Sequence, residues 1–417
     1  MKVIVAHPGQ QHSYQTATAL KKNGFLYKYI TTVYNKNKSV TRSICYILRG
    51  NLKRRALNRR CEELDDIDII QFCELAGIIL LVLQRIDKKG FIYSKWAAHI
   101  TKKFGVKLAK YAIKHKVDAI IVYDTQGLYT GRYLRKKNSN IKLIMDVSAA
   151  NLEYMREIYK KDMEICPEFR EKMIAERGYL WDEKIMNWYR EELLYPDSFL
   201  VASQFVKKSL VSKGIQQKIF ICPYGTYFNA RNLKNINRLG NSNLLRLVYV
   251  GNTYALKGIW YLFEAVMRFS PTEVALTVVG SIDNKEGYFN KYINRINFVG
   301  SVPHQDVKKY LASADAFIMP SLGDGMNLST LEAWGMGLPC LVSQNTGACE
   351  YIVEGKNGYT FKIQNVDEIV KCIQKMKDNM SDIDRMKRCS LETADKLSWN
   401  NYYLKVQTAV TETVNER

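Results

Sequence analysis

Residues 317–350 read FIMPSLGDGMNLSTLEAWGMGLPCLVSQNTGACE, and this stretch decides the fold. The apolar run from Phe317 to Pro320 predicts the end of a buried strand, and a glycine-rich loop follows it. Apolar residues then recur at helical spacing until Gly337, and Cys340 begins a second apolar run. This order of strand, loop, helix and strand indicates a parallel α/β sheet, in which ligands bind beyond the carboxyl ends of the strands. The N-terminus of the helix would offer N–H groups and a positive dipole end to an anion.

Two carboxylates lie on this element, Asp324 in the loop and Glu332 inside the helix, with seven residues between them. Taken alone, Asp324 could cap the helix and Glu332 could be a solvated charge. Together with the surrounding PSLGDGMNLSTLEAWGMGLP, the spacing resembles the E-x7-E element of GT-B glycosyltransferases of the retaining family 4 type. The resemblance implies that Asp324, one methylene shorter than the usual Glu, contacts the donor sugar and that Glu332 binds the nucleotide ribose. We expect the backbone of Gly325, Met326, Asn327 and Leu328 to hold the sugar as well.

A second strand and loop, LRLVYVG followed by NTYALKG, begins at Leu245. The family places an Arg shortly after the first glycine of this loop and a Lys before the second, both on the donor diphosphate. Lys257 fits the Lys, whereas Asn252 stands where the Arg usually is. Gly280 resembles the nucleotide-side loop of the family, and Val302 lies where the base usually meets main chain. Asp324 and Lys257 are therefore the predicted catalytic residues.

The chain also opens on a strand, loop and helix, with HPGQQH as the loop. It lacks G-x-G-x-x-G, so a dinucleotide fingerprint is absent. Gly9 matches a position in the family whose backbone faces the donor diphosphate, and His7 and His12 could serve an anionic ligand or merely shape the turn. Asp124 ends a later strand and would point into the crevice or cap a turn. Asn151 occupies the position that often carries a histidine near the reaction centre in the family.

The order of strands, loops and helices predicts the α/β fold class, and the resemblance implies GT-B, with two Rossmann-like domains facing each other across a deep cleft. We expect an acceptor-binding domain over 1–225, a linker over 226–243 and a nucleotide-sugar-binding domain over 244–396. Residues 397–417 are expected to form a helix that packs back on the first domain.

Composition restricts the class of protein. The 417 residues suggest two or three domains, and 47% hydrophobic content with 25% charged residues is ordinary for a globular protein. Nine cysteines without a CxxC pair, together with an N-terminus that leads straight into a strand, predict reduced thiols, no signal peptide and a cytoplasmic protein. The longest apolar run, 76–83, is far shorter than a membrane span.

The predicted function follows from the resemblance. It is transfer of a sugar from a nucleotide-sugar donor to a glycan or lipid-linked glycan, with retention of anomeric configuration, in bacterial cell-surface polysaccharide or lipopolysaccharide biosynthesis. We expect no cofactor and no required metal, because GT-B folds generally use none and no D-x-D motif stands in a matching place. A GT-B sugar-nucleotide epimerase, a phosphorylase with a lysine-bound pyridoxal cofactor and a basic nucleic-acid-binding protein remain alternatives. The last leaves the 317–350 element unexplained, so no nucleic-acid partner is expected.

The net charge of +21 implies an anionic partner. The charge is unevenly distributed, since residues 1–61 contain no Asp or Glu. Residues 36–60, KNKSVTRSICYILRGNLKRRALNRR, interleave cations with apolar side chains. Such a segment can lie on an anionic membrane surface, although its apolar side chains could face the core instead. We expect peripheral attachment to the cytoplasmic face of the inner membrane.

Overall fold

The computed structural model describes residues 1–87, 90–230, 243–282, 284 and 287–416. Its strands form two parallel sheets, each in a separate part of the chain. The first sheet contains β1 Val3–Ala6, β2 Leu26–Thr31, β3 Ile69–Gln71, β4 Ala119–Tyr123, β5 Lys142–Val147, β6 Ser198–Val201 and β7 Lys218–Ile221. The second contains β8 Leu245–Val250, β9 Val274–Val279, β10 Asn297–Gly300, β11 Ala316–Met319, β12 Cys340–Ser343 and β13 Gly358–Phe361.

The two sheets share one topology. Their strand orders are β3-β2-β1-β4-β5-β6-β7 and β10-β9-β8-β11-β12-β13. In each sheet the order reverses beside the first strand, which creates the crevice at which Rossmann-like folds bind ligands. The predicted α/β class with two Rossmann-like domains is confirmed.

Helices cover the sheets, and the central strands are apolar because both of their faces are buried. All residues of β1, β4, β6, β11 and β12 are buried. The helices of the first part are α1 Ser13–Lys22, α2 Val40–Ile47, α3 Gly50–Leu57, α4 Glu74–Ile86, α5 Phe91–His115, α6 Leu128–Lys136, α7 Leu152–Ile165, α8 Arg170–Arg177, α9 Glu183–Glu192 and α10 Gln204–Val211. Those of the second are α11 Ile259–Met267, α12 His304–Ala312, α13 Leu328–Gly335, α14 Val366–Asp378, α15 Ile383–Lys396 and α16 Trp399–Asn415.

The last helix returns to the first sheet. The α16 residue Tyr402 exchanges a 2.8 Å hydrogen bond with Thr16 of α1, and Gln407 donates to the Ala19 carbonyl at 2.7 Å. Most of the predicted linker, 231–242, lies outside the described residues. The domain boundaries at 225, 243 and 396 therefore stay predictions.

The sequence does not predict two of the strands, β3 and β13. Each has only three or four residues, and β3 adjoins charged turns, so neither gives a long apolar run. All nine cysteines are free thiols. Among the described helices, none is long and apolar enough to cross a membrane.

Candidate active site

The glycine-rich loop of the second sheet connects β11 to α13. Asn327 caps α13, because its side-chain oxygen accepts the N–H of Thr330 at 3.0 Å. Gly258 begins α11 with φ of 63°, and a Cβ there would lie 2.2 Å from the Pro320 carbonyl oxygen. The two loops that carry the predicted catalytic residues therefore touch through backbone, which only glycine permits.

Lys257 and Asp324 form an ion pair across these two loops. The other partner of the Asp324 carboxylate is the Asn327 amide, which donates to it at 2.9 Å. Both members of the pair are partly buried, with 21% and 16% of their side chains exposed. The structure thus brings together a cation and an acid that lie 67 residues apart in sequence, and it places them beside the N-terminus of a helix.

Glu332, on the second turn of α13, has a partner that the sequence did not indicate. His304, which opens α12, lies with Nε2 2.7 Å from a Glu332 carboxylate oxygen. The hydrogen bond to Glu332 raises the pKa of His304. The carboxylate still reaches solvent, with 14% of its side chain exposed.

The remaining donor-side residues surround this group. The Asn252 carbonyl accepts the Tyr249 hydroxyl at 2.7 Å, and the residue itself is exposed. Gly280 packs against the Gly251 backbone, since a Cβ there would lie 2.0 Å from the Gly251 oxygen. Three further predicted residues differ in exposure: Met326 is buried, Leu328 is exposed and Val302 is intermediate.

The first sheet supplies a second group of polar side chains at its own carboxyl edge. His12 Nε2 lies 2.8 Å from an oxygen of Asp146, the penultimate residue of β5. Asp124 follows β4, and burial together with the charge of Asp146 raises its pKa to about 6. His7 is buried, and its Nδ1 accepts the Gly9 N–H at 2.7 Å. Burial, aided by His12, lowers the pKa of His7 to about 4.

His7 and Asn151 each hold one buried nitrogen without a hydrogen-bond partner among the described residues. These are His7 Nε2 and Asn151 Nδ2. The Asn151 oxygen caps α7, where it accepts the N–H groups of Glu153 at 2.9 Å and Tyr154 at 3.2 Å. Asn151 is fully buried, so it borders the edge from beneath rather than lining open space.

The two edges meet face to face. A Cβ on Gly325 would lie 2.0 Å from the carbonyl oxygen of Ser148, which follows β5. The Ser148 hydroxyl lies 3.5 Å from Asp124, so one residue touches both groups. The predicted donor-side and acceptor-side residues therefore border the same cleft.

Two glutamates close this cleft through contacts with the other domain that the sequence does not indicate. Glu350 accepts the Phe205 N–H at 2.9 Å, at the start of α10. In the opposite direction, Glu176 of α8 accepts the Ala255 N–H through both carboxylate oxygens, at 2.9 and 3.1 Å. Burial raises the pKa of both carboxylic acids. No local signal marks such contacts, because they join residues 145 and 79 positions apart.

Within the described ranges, no group of three or more His, Cys, Asp or Glu side chains could hold a metal ion. The expectation that no metal is required stays a prediction.

Comparison with known proteins is consistent with this geometry. Residues 245–379, about a third of the chain, match the family described as glycosyl transferases group 1. An uncharacterized glycosyltransferase of Haemophilus influenzae is 28% identical over 170 residues, which are 38% of this chain and 48% of that protein. The Escherichia coli UDP-Gal:alpha-D-GlcNAc-diphosphoundecaprenol alpha-1,3-galactosyltransferase is 31% identical over 74 residues, 18% of this chain and 19% of that one. The chain thus spans less than half the length of these relatives.

Solved structures match over the whole chain. Sucrose-phosphate synthase from Thermosynechococcus elongatus aligns with 99% of this chain and 98% of its own, at a TM-score of 0.65 and 16% identity. Anabaena HepE in complex with UDP aligns with 99% of this chain and 100% of its own, at a TM-score of 0.61 and 12% identity. This likeness shows that the fold is GT-B.

Proposed function

We propose that this protein is a glycosyltransferase that uses a nucleotide-sugar donor. The observation that carries the proposal is the ion pair between Lys257 and Asp324, beside the N-terminus of α13 and facing the edge of the first sheet. This arrangement lies inside the segment that matches glycosyl transferases group 1. HepE, whose structure holds UDP, makes a uridine diphosphate sugar the first donor to test.

The chemistry assigned to these groups is charge stabilisation. The bond between the anomeric carbon and the diphosphate breaks, and negative charge grows on the leaving phosphate. An acceptor hydroxyl oxygen bonds to the same carbon, and its proton passes to the leaving phosphate oxygen. Lys257 and the free N–H groups at the start of α13 stabilise that charge. Donor binding would draw the Lys257 ammonium from Asp324 to the diphosphate. The Asp324 carboxylate then becomes available to accept hydrogen bonds from the sugar hydroxyls.

The contacts across the cleft support a closed state for this reaction. Closure removes water from the reacting sugar, which strengthens electrostatic interactions and limits hydrolysis. Gly325 against Ser148, and Glu176 against Ala255, are contacts between the two domains at the donor loops.

Retention of configuration is part of the proposal and is supported by the resemblance of the 324–332 element to the retaining family 4 type. Proton NMR of the first product decides it, because the anomeric coupling distinguishes the two anomers. An inverted product would contradict the retaining assignment and leave the fold unaffected.

The proposed acceptor is a glycan or lipid-linked glycan of a cell-surface polysaccharide, reached at the cytoplasmic face of the inner membrane. The basic segment 36–60 supports a membrane-borne acceptor, and the Escherichia coli relative acts on a diphosphoundecaprenol-linked sugar. The nucleotide sugar is a substrate, and no cofactor or metal is part of the proposal.

A donor screen tests the core of this proposal. The intact protein is heated with a panel of nucleotide sugars, and a donor at 100 times its Kd should stabilise it by about 2.7 kcal/mol. The donor that shifts the melting curve is then incubated with membrane lipid extract, and transfer of labelled sugar into lipid is measured. Epimerised donor without transfer would support the epimerase alternative, and no shift with any donor would contradict the proposal.

A further inference from the structure

A groove outside the cleft lies between helices α2, α3 and α4 of the first domain. Its volume is about 530 Å³, which is within the range of pockets that bind small molecules. Apolar side chains form its walls, among them Ile44, Leu48, Leu52 and Leu81. The groove is therefore suited to an apolar chain.

The helix that forms one wall is held rigidly on the sheet. Gly77 of α4 packs so closely on the loop after β2 that a Cβ there would lie 2.6 Å from the Thr32 hydroxyl oxygen. Glu74, at the start of the same helix, accepts both the N–H and the hydroxyl of Thr41, at 2.7 and 2.6 Å. These contacts fix α4 against α2, so the groove between them is preformed.

The outer surface beside the groove is apolar as well. Four residues of α4 are exposed at helical spacing: Leu75, Ile79, Val82 and Ile86. On the facing helix, Ile47 is 80% exposed. Exposed apolar side chains that share one face of a helix favour an interaction site, and Val82 belongs both to this face and to the groove.

The charged residues of the groove are all cations. Arg55, Arg59 and Arg85 line it, and none of the described residues that line it is an Asp or a Glu. Burial lowers the pKa of Arg59, and the charge of Arg85 acts in the same direction. Clustered guanidinium groups without acids favour an anion, and their planar fork fits phosphate oxygens.

One end of the groove adjoins the cleft. Gln10 lines it, and Gln10 belongs to the loop that carries His7, Gly9 and His12. A molecule whose chain lies in the groove would therefore present its other end to the acceptor-side residues.

We infer that this groove binds the phosphate and the adjoining apolar chain of a lipid-linked acceptor while the exposed apolar face rests in the membrane. The inference rests on the proposed function, whose acceptor it specifies as a membrane-borne phospholipid-type anion with a long apolar chain. The phosphate binds Arg55, Arg59 and Arg85, and the chain follows Leu48, Leu52 and Leu81 toward the bilayer.

Vesicle flotation tests the inference with three lipid mixtures. These are phosphatidylcholine alone, phosphatidylcholine with phosphatidylglycerol, and phosphatidylcholine with a polyisoprenyl diphosphate at equal total charge. We expect the strongest binding to the third. Equal binding to the second and third mixtures would mean that the protein recognises only the negative charge of the vesicle surface. That result would overturn the groove assignment.

The variants isolate the groove. Arg59→Gln combined with Arg85→Gln should lower the apparent affinity for polyisoprenyl diphosphate vesicles at least tenfold. The charge-matched control, Lys136→Gln with Lys137→Gln at the exposed end of α6, should bind as the parent does. Arg85→Gln alone, at an exposed position, should show a smaller loss in the same direction and covers the case in which the double variant does not fold. Unchanged binding in both groove variants would overturn the inference.

Three further measurements separate the possible failures. Ile79→Ser with Val82→Ser should weaken binding to all vesicles, because it removes the membrane face and leaves the arginines in place. If soluble pyrophosphate abolishes vesicle binding at concentrations equal to the lipid, the groove recognises a free anion and the lipid assignment is wrong. Calorimetry with the nucleotide donor reports on the cleft separately, so loss of donor binding would contradict the proposed function and not the groove.

Discussion

The two edges that face each other across the cleft are built in different ways. On the second sheet, most of the predicted donor-side residues come from one loop and one helix, 323–332, and the adjoining loop adds Lys257. On the first sheet, the polar group is assembled from the ends of three strands, with His12, Asp124 and Asp146 as members. A contiguous element can be recognised in one sequence, whereas an assembled group can be recognised only when the strand order is known.

The charges of the two edges differ as well. The donor side pairs a flexible lysine with a partly exposed acid, so a diphosphate can replace the acid at little cost. The acceptor side buries its groups and shifts the pKa of His7 and of Asp124 in opposite directions. Mutations should therefore change ligand affinity on the donor side and pH dependence on the acceptor side.

The largest effect is expected at Lys257. Lys257→Gln removes the cation that stabilises the leaving diphosphate, and loss of one such group typically costs 10²- to 10³-fold in kcat. Steady-state kinetics with the identified donor measures it, and Lys257→Arg, which keeps the charge, should retain more activity. A Gln variant with parental kcat would place the diphosphate elsewhere.

The buried histidine should make stability depend on pH. The pKa of His7 is about 4 in the fold against 6.5 for an unperturbed His, so between these values the unfolded chain binds the extra proton. The contribution of neutral His7 to stability is therefore fully present above pH 6.5. Up to about 3 kcal/mol of unfolding free energy is lost as the pH falls to 4.

The contribution of His7 is measured as the difference in unfolding free energy between the parent and a His7 variant. This difference is needed because Asp124 titrates in an overlapping pH range and changes stability in the opposite direction. Urea unfolding at several pH values should show that parent and His7→Gln converge in stability as the pH falls from 6.5 to 4. The exposed His99→Gln is the matched control and should parallel the parent. A constant gap between parent and His7→Gln would show that His7 does not titrate in this way.

Donor affinity should fall when Glu332 loses its charge. Charge-assisted hydrogen bonds contribute roughly 1.5–3 kcal/mol, so Glu332→Gln should raise the Kd of the donor roughly ten- to a hundredfold. His304→Gln removes only the partner of the carboxylate and should have a smaller effect. Calorimetry with the donor compares the two variants. Equal losses of donor affinity would mean that His304, and not Glu332, contacts the donor.

The smallest effect is expected from a methyl group placed between the two edges. Gly325→Ala puts a Cβ 2.0 Å from the Ser148 carbonyl oxygen, and overpacking of this kind costs about 1–3 kcal/mol. Small-angle scattering should show a more open molecule with lower turnover. Gly178→Ala, whose nearest neighbour would be 3.9 Å away, is the control and should scatter as the parent does.

The helices of the first domain show where sequence reasoning was weakest. Within residues 33–116 the sequence indicates a basic segment with interleaved apolar residues at 36–60 and a short apolar run at 76–83. It does not indicate that α4 carries an exposed apolar stripe at regular spacing. From sequence, such a stripe predicts the face turned toward the core, because that is where amphipathic helices usually bury apolar residues. The close contact of Gly77 with Thr32 instead turns another face of α4 to the sheet.

The sequence alone determined the α/β class and most of the strands, because apolar period and glycine placement are local properties. The acid spacing around Asp324 and Glu332 is local as well, and its resemblance to a known family implied the GT-B fold. Tertiary structure decided that Lys257 pairs with Asp324, that His304 contacts Glu332 and that Glu176 reaches Ala255. Those contacts join residues 28 to 79 positions apart. Their free energies depend on distance in space and on burial, neither of which follows from the spacing of residues along a chain.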